Sequence, residues 1–182
     1  MKFEFTSDNL ALDFAGTRMY RETAPAEQLT EPECLAEWVR AARLVDRGTP
    51  VDRGGFASAL ELREAIYRAA RAVVNGSECT EGDRRVLNRF ATAPPVRIRL
   101  VRAGSQARSG DLGSVLSTIS RSAIDLLGGE DHTRLRGCPG TGCTRLFVDR
   151  SRAGTRRWCG MATCGSRAKV AAYRQRKRAE SS

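Results

Sequence analysis

The apolar positions of this chain recur mostly at helical spacing, and in one stretch with the alternation of a strand. After a short extended run from Phe3, Leu10, Phe14 and Thr17 fall at i, i+4 and i+7 and predict a helical face before Tyr20. Glu31 to Leu44 predicts a second helix, with Thr30 able to cap it, Pro32 in its first turn, and Leu35, Trp38, Val39 and Ala42 as its apolar stripe. Val45 to Gly55, rich in Gly, Pro and Asp, reads as a loop. Phe56 to Asn75 carries the strongest helical signal. Leu60, Ile66, Tyr67, Ala70 and Val74 line one broad face, and Asn75-Gly76 supplies a stop. Thr80 caps a further helix running to Ala91, with Val86, Leu87 and Phe90 apolar, and Pro94-Pro95 ends it. Val96, Ile98 and Leu100 alternate with Arg97 and Arg99, as in a half-buried strand. A polar turn from Ala103 to Gly110 then leads into a helix from about Asp111 to Leu127, closed by Gly128-Gly129 as a short hinge.

The pattern predicts a mainly α domain with a small β element over residues 1–130, followed by a smaller module over residues 131–182. The length of 182 residues allows this division. No stretch approaches the eighteen or so apolar residues of a membrane span. An acidic residue, Glu4, stands where a secretory leader needs its apolar run, so a cytoplasmic protein is expected.

Charge sharpens the division. Residues 1–130 hold 18 basic and 18 acidic side chains, whereas residues 131–182 hold 13 basic and 3 acidic, so the whole net charge of +10 sits in the last 52 residues. A neutral body with a cationic end suits a polyanion partner; a solvated cationic tail is the alternative reading.

The cysteines follow the same split. Cys34 and Cys79 lie far apart, while Cys138, Cys143, Cys159 and Cys164 form two Cys-x4-Cys pairs separated by fifteen residues. In a reducing compartment four clustered thiols are expected to be metal ligands rather than disulfides, and four soft ligands suit one structural Zn2+. Pro139, Gly140 and Gly142 permit the tight first knuckle. A strand, turn and returning strand are predicted between the pairs, then a helix over residues 167–178 with Ser166 as its cap, Val170 and Tyr173 packing it onto the hairpin, and Trp158 plugging the core. Knuckle, hairpin and ligand-bearing helix together resemble a treble-clef finger. His132 lies outside this frame and reads as a hinge residue, and Asp13 as a group that satisfies nearby backbone.

Leu146-Phe147-Val148-Asp149-Arg150-Ser151-Arg152, Arg156-Arg157-Trp158-Cys159, Cys164-Gly165-Ser166-Arg167-Ala168-Lys169 and Tyr173-Arg174 closely resemble the CGNR zinc-finger family, over about residues 132–178. The family's motif has Asn where Ser166 stands, and either residue can cap a helix. Leu12-Asp13-Phe14-Ala15-Gly16-Thr17 and Leu35-Ala36-Glu37-Trp38 more loosely resemble the stress-responsive regulator domain, ABATE, that precedes such fingers; that family has Asn where Gly16 stands. The resemblance implies a bacterial transcription regulator.

The expectation is therefore a non-enzymatic regulator that binds DNA through Arg150, Arg152, Arg156 and Arg157 around the hairpin and Arg167, Lys169, Arg174, Arg176, Lys177 and Arg178 on the helix. Residues 1–130 would sense a signal, such as a small-molecule effector, or mediate homodimerisation. A zinc-module adaptor for an acidic protein and an RNA-binding protein remain the alternatives. No Gly-rich phosphate loop or Ser/His/Asp set points to an enzyme.

Overall fold

The computed structural model describes residues 3–179, with side chains described through Lys177. A short helix α1 (Leu10–Ala15) is capped by Asn9, whose side chain accepts from the amides of Ala11 and Leu12. The helix ends before Thr17, which is nevertheless buried and donates its hydroxyl to the Phe14 carbonyl at 2.7 Å. Strands β1 (Arg18–Met19) and β2 (Ala26–Glu27) form a minimal antiparallel pair. Helices α2 (Pro32–Ala41), α3 (Arg53–Val74) and α4 (Glu81–Ala91) follow. The N-cap of α2 is Glu31, not Thr30, and it makes no side-chain cap bond; Pro32 stands in the first turn, where a missing N–H costs nothing. Helix α3 starts three residues earlier than the hydrophobic pattern indicated, because Asp52 accepts from the Gly55 amide and caps a polar first turn. Thr80 caps α4 as expected.

The stretch expected to be one half-buried strand and a polar turn is instead a hairpin. Strand β3 (Arg97–Arg102) pairs antiparallel with β4 (Ser105–Ser109), and every residue of β3 is exposed. Gly104, at φ +74°, makes the turn. Alternation places β3's apolar and basic residues on opposite faces, but no layer covers the apolar one. Helix α5 (Leu112–Gly128), capped by Asp111, then runs through the core.

The main core packs Trp38, Leu35 and Val39 of α2 against Phe14 of α1, Leu62 and Ile66 of α3, and Val115 and Ile119 of α5. The Phe14 and Trp38 rings are tilted, with centroids 4.8 Å apart. A second, smaller core crosses the change in charge. Leu12, Ala70 and Leu126 from the first segment enclose Leu135, Leu146 and Val148 from the second. No free hinge follows Gly128-Gly129. A 3-10 turn (Glu130–Arg134) passes directly into strand β5 (Leu135–Gly137), which pairs with β6 (Leu146–Val148). Chain entry to the finger is thus pinned by β5 packing on α3. Among the described residues about half are helical, the strands form three small antiparallel pairs, and no helix is long and apolar enough to cross a membrane.

Candidate metal centre and basic helix

The β5–β6 hairpin carries the first two cysteines at its tip. This corrects the expected hairpin between the cysteine pairs: β6 pairs backwards with β5, and the 149–158 stretch forms a loop around Asp149. The Cys138 amide donates to the Arg145 carbonyl at 2.9 Å and the Cys143 amide to the Gly140 carbonyl at 2.8 Å, so the knuckle is a closed turn. Two glycines are required there for different reasons. Gly142 sits at φ +69°, and a Cβ on Gly140 would come within 2.9 Å of the Cys164 sulfur.

The other two ligands come from the loop end and a π-helical turn (Met161–Gly165) that leads into α6 (Ser166–Ala179). All four sulfurs lie within 4.8 Å of one another, with Cys143–Cys159 at 3.9 Å and Cys159–Cys164 at 3.7 Å. Zinc–sulfur bonds of about 2.3 Å in a tetrahedron place sulfurs about 3.8 Å apart, so these spacings fit that ion. None of the six cysteines is in a disulfide. Phe147 is fully buried beside the cluster and Trp158 packs half-buried on it, which gives the site a small apolar shell. The Cys159 amide points at the Cys138 sulfur at 3.5 Å, as a stabilising donor to a thiolate would.

The electrostatics make the same demand. Hydrogen bonds from Cys143 and Cys159 hold the Cys138 thiol far below its ordinary range. The same contacts with Cys138 push Cys143 up to about 11 and Cys159 much further. Crowded as they are, Cys138, Cys143 and Cys159 cannot all ionise by themselves, and a divalent cation is what allows them to. One structural Zn2+ held by Cys138, Cys143, Cys159 and Cys164 accounts for the arrangement. His132 stands apart from this cluster, in the 3-10 turn, with Nδ1 2.7 Å from the Gly129 carbonyl oxygen.

Asp149, not singled out beforehand, organises the loop. Its buried carboxylate accepts from the Ser151 amide and hydroxyl and from the Arg156 amide, at 2.9, 2.6 and 3.0 Å, and the Ser151 bonds hold its pKa below the usual carboxylate range. The sequence signal was Asp-x-Ser, an Asx turn. Asp13 does the equivalent at the N-terminus, accepting from the Thr6 and Ser7 amides at 3.0 Å.

The ten basic positions divide by environment. Arg156 turns inward: it lies 4.4 Å from the Phe147 ring centroid and donates to Asp8 and to the carbonyls of Thr6, Trp158 and Cys159. Its donors are occupied by the fold. Arg150 is ion-paired with Asp131 at 2.6 Å. Arg152 and Arg157 are exposed, the latter 5.4 Å from the Trp158 ring centroid. Arg167 bonds the Tyr20 hydroxyl at 3.0 Å, and Lys169, Arg174, Arg176 and Lys177 are exposed along α6. The Arg178 side chain lies outside the described residues. Two further expectations are corrected. Val170 and Tyr173 do not pack on the hairpin; Tyr173 is 58% exposed, because Ala168 and Ala171 form the side of α6 toward Trp158 and the knuckle. Ser166 is not an N-cap: it is already helical and donates its hydroxyl to the Met161 carbonyl at 2.9 Å, since the π-helical turn runs straight into α6.

The ABATE family, described as "Putative stress-induced transcription regulator", matches residues 8–130, and the CGNR zinc finger matches residues 134–177. Comparison with curated proteins finds no match. The chain belongs to the ABATE family and ends in a CGNR zinc finger.

Proposed function

From that membership we propose that the protein is a cytoplasmic, non-enzymatic transcription regulator that binds duplex DNA through α6 and the exposed arginines of the adjoining loop. Residues 1–130 form the regulatory module, which senses a signal or mediates dimerisation, and residues 131–182 form the DNA-binding module. The observation that carries this reading is α6 itself. It leaves a zinc-ordered base and is exposed at every described position except Ala168. Arg167 and Arg174, seven residues apart, share one face, and Lys169 and Arg176 share another. A helix that turns only small alanines toward the body and carries cations on two exposed faces is suited to the negative groove of a duplex.

Arg152 and Arg157 extend the cationic surface from the loop, whereas Arg156 and Arg150 position the loop rather than contact DNA. The small core around Leu135 and Val148 would let a change in the regulatory module reach the finger. Fluorescence anisotropy of the zinc-loaded full chain against duplex DNA, structured RNA and an acidic polypeptide tests the choice. Duplex DNA bound at roughly micromolar affinity near physiological salt, and tighter than the other two, is the expected result. Preference for RNA or for the acidic polypeptide would reassign the finger.

A further inference from the structure

The regulatory module has as many acids as bases, yet its charges are unevenly matched. Eight of its arginines, from Arg18 to Arg89, form ion pairs. Three that do not, among the described residues, gather around one cleft: Arg47 on the loop after α2, and Arg97 and Arg99 on β3. Arg108 of β4 stands opposite Ile98, on the other face of the hairpin, and meets the loop through its backbone. The cleft has a volume of about 600 Å³, within the usual range of small-ligand sites.

Its construction follows from the hairpin register. Arg97 stands opposite Ser109 and Arg99 opposite Ala107, so these four share the face that lines the cleft. The loop is fastened to the outer edge of β4: the Asp46 amide donates to the Arg108 carbonyl at 3.1 Å, and the Arg108 amide donates to the Asp46 carboxylate at 2.7 Å. These two hydrogen bonds bring Arg47 across from Arg97 and Arg99. They also engage Asp46, the one acid among the described residues that line the cleft, with a backbone donor. Buried Val45 contributes an apolar wall. Like charges gathered on one concavity repel, and an anion relieves that repulsion; guanidinium forks suit the paired oxygens of phosphate.

We propose that this cleft is an anion site for a small ligand carrying two or more phosphate groups, as in a nucleoside diphosphate. It gives a chemical class to the effector of the reading above and rests on that reading only for its consequence on DNA binding. The binding itself is measured without DNA.

The test is calorimetric titration of the zinc-loaded full chain with inorganic pyrophosphate at constant ionic strength, for wild type, R97Q/R99Q, Arg47→Gln, the α4 control Arg85→Gln, and the α6 variant R174Q/R176Q. All of these side chains are exposed, and zinc content and circular dichroism check the fold. Saturable binding, weakened about tenfold or more in R97Q/R99Q and less in Arg47→Gln, but kept by Arg85→Gln and R174Q/R176Q, is expected. Absence of saturable binding overturns the proposal. So does a loss that follows the α6 variant, which would place the anion on the finger. Lowered DNA affinity in R97Q/R99Q without pyrophosphate binding also overturns it, making this face a DNA contact.

Discussion

Arg156 of the finger reaches back to Asp8 at the start of the chain, Nη1 to Oδ2 at 2.6 Å. The same guanidinium covers Phe147 and meets the Cys159 carbonyl at 2.7 Å, so one side chain joins the N-terminal segment, the finger core and a zinc ligand's backbone. Replacing Arg156 by Ala should cost about 2 kcal/mol, since several charge-assisted bonds lose their donor and carbonyls lose their partner. Arg157→Ala, exposed, should change stability by less than about 0.5 kcal/mol. Chemical denaturation of both variants checks the contrast, and equal losses would show that Arg156 is not the clamp.

Metal removal should unfold more than the finger loop. The cysteine cluster holds β6, whose Leu146 and Val148 complete a core with Leu12, Ala70 and Leu126. Elemental analysis should find about one zinc per chain. Chelation should lower the melting temperature of the whole chain, because binding free energy of a structural site is folding free energy. An unchanged melting curve after verified zinc loss would show that the second core stands without it.

The coupling should also run the other way. Leu126 lies on α5, outside the finger, and is buried in the shared core. Leu126→Ala should cost about 3 kcal/mol and speed zinc transfer to a colorimetric chelator. A variant equally destabilised in the main core, such as Val115→Ala, serves as the comparison. Identical zinc-release rates for the two would argue that the shared core transmits nothing.

Glu64 offers a pH-dependent test away from the metal. Burial pushes its carboxyl up, but the hydrogen bond and charge of Arg21, with the charge of Arg63, outweigh that and hold it below its ordinary value of 4.5. A depressed folded-state pKa contributes stability present above the unfolded value and lost as pH falls through the folded one. Glu64→Gln should therefore cost about 2 kcal/mol at pH 7. The gap to wild type should narrow as pH drops below about 4.5. Urea unfolding of both proteins across that range checks this, and a gap independent of pH would show that the carboxylate's charge does not hold these arginines.

The helices were legible because α2, α3, α4 and α5 bury one face each and leave a 3.6-residue pattern. The cap by Thr80 could be placed from residue type, whereas Asp111, read as the first residue of its helix, is the cap before it. The cysteine cluster was legible because metal ligation fixes residue type and spacing together. The failures have separate causes. The β3–β4 hairpin buries almost nothing, so its alternation suggested a core that does not exist and its polar half resembled a turn. The hairpin of the finger was misplaced because β6 finds its partner across the knuckle, a pairing that local pattern cannot specify. Arg156 shared a basic run with Arg157, and only the three-dimensional position of Asp8 and Phe147 separates a clamp from an exposed cation.

The central claim is that zinc-anchored α6 carries the DNA affinity, and the slope of log affinity against log salt measures it most directly. Each neutralised phosphate contributes about −0.9 to that slope on duplex DNA. For the zinc-loaded full chain, R174A/R176A should weaken binding and flatten the slope by about one unit for each phosphate that is no longer neutralised. Arg85→Ala, on α4, should leave the slope unchanged, and chelation should abolish most of the binding. A metal-loaded chain whose affinity and salt slope are the same with and without Arg174 and Arg176 would contradict the claim.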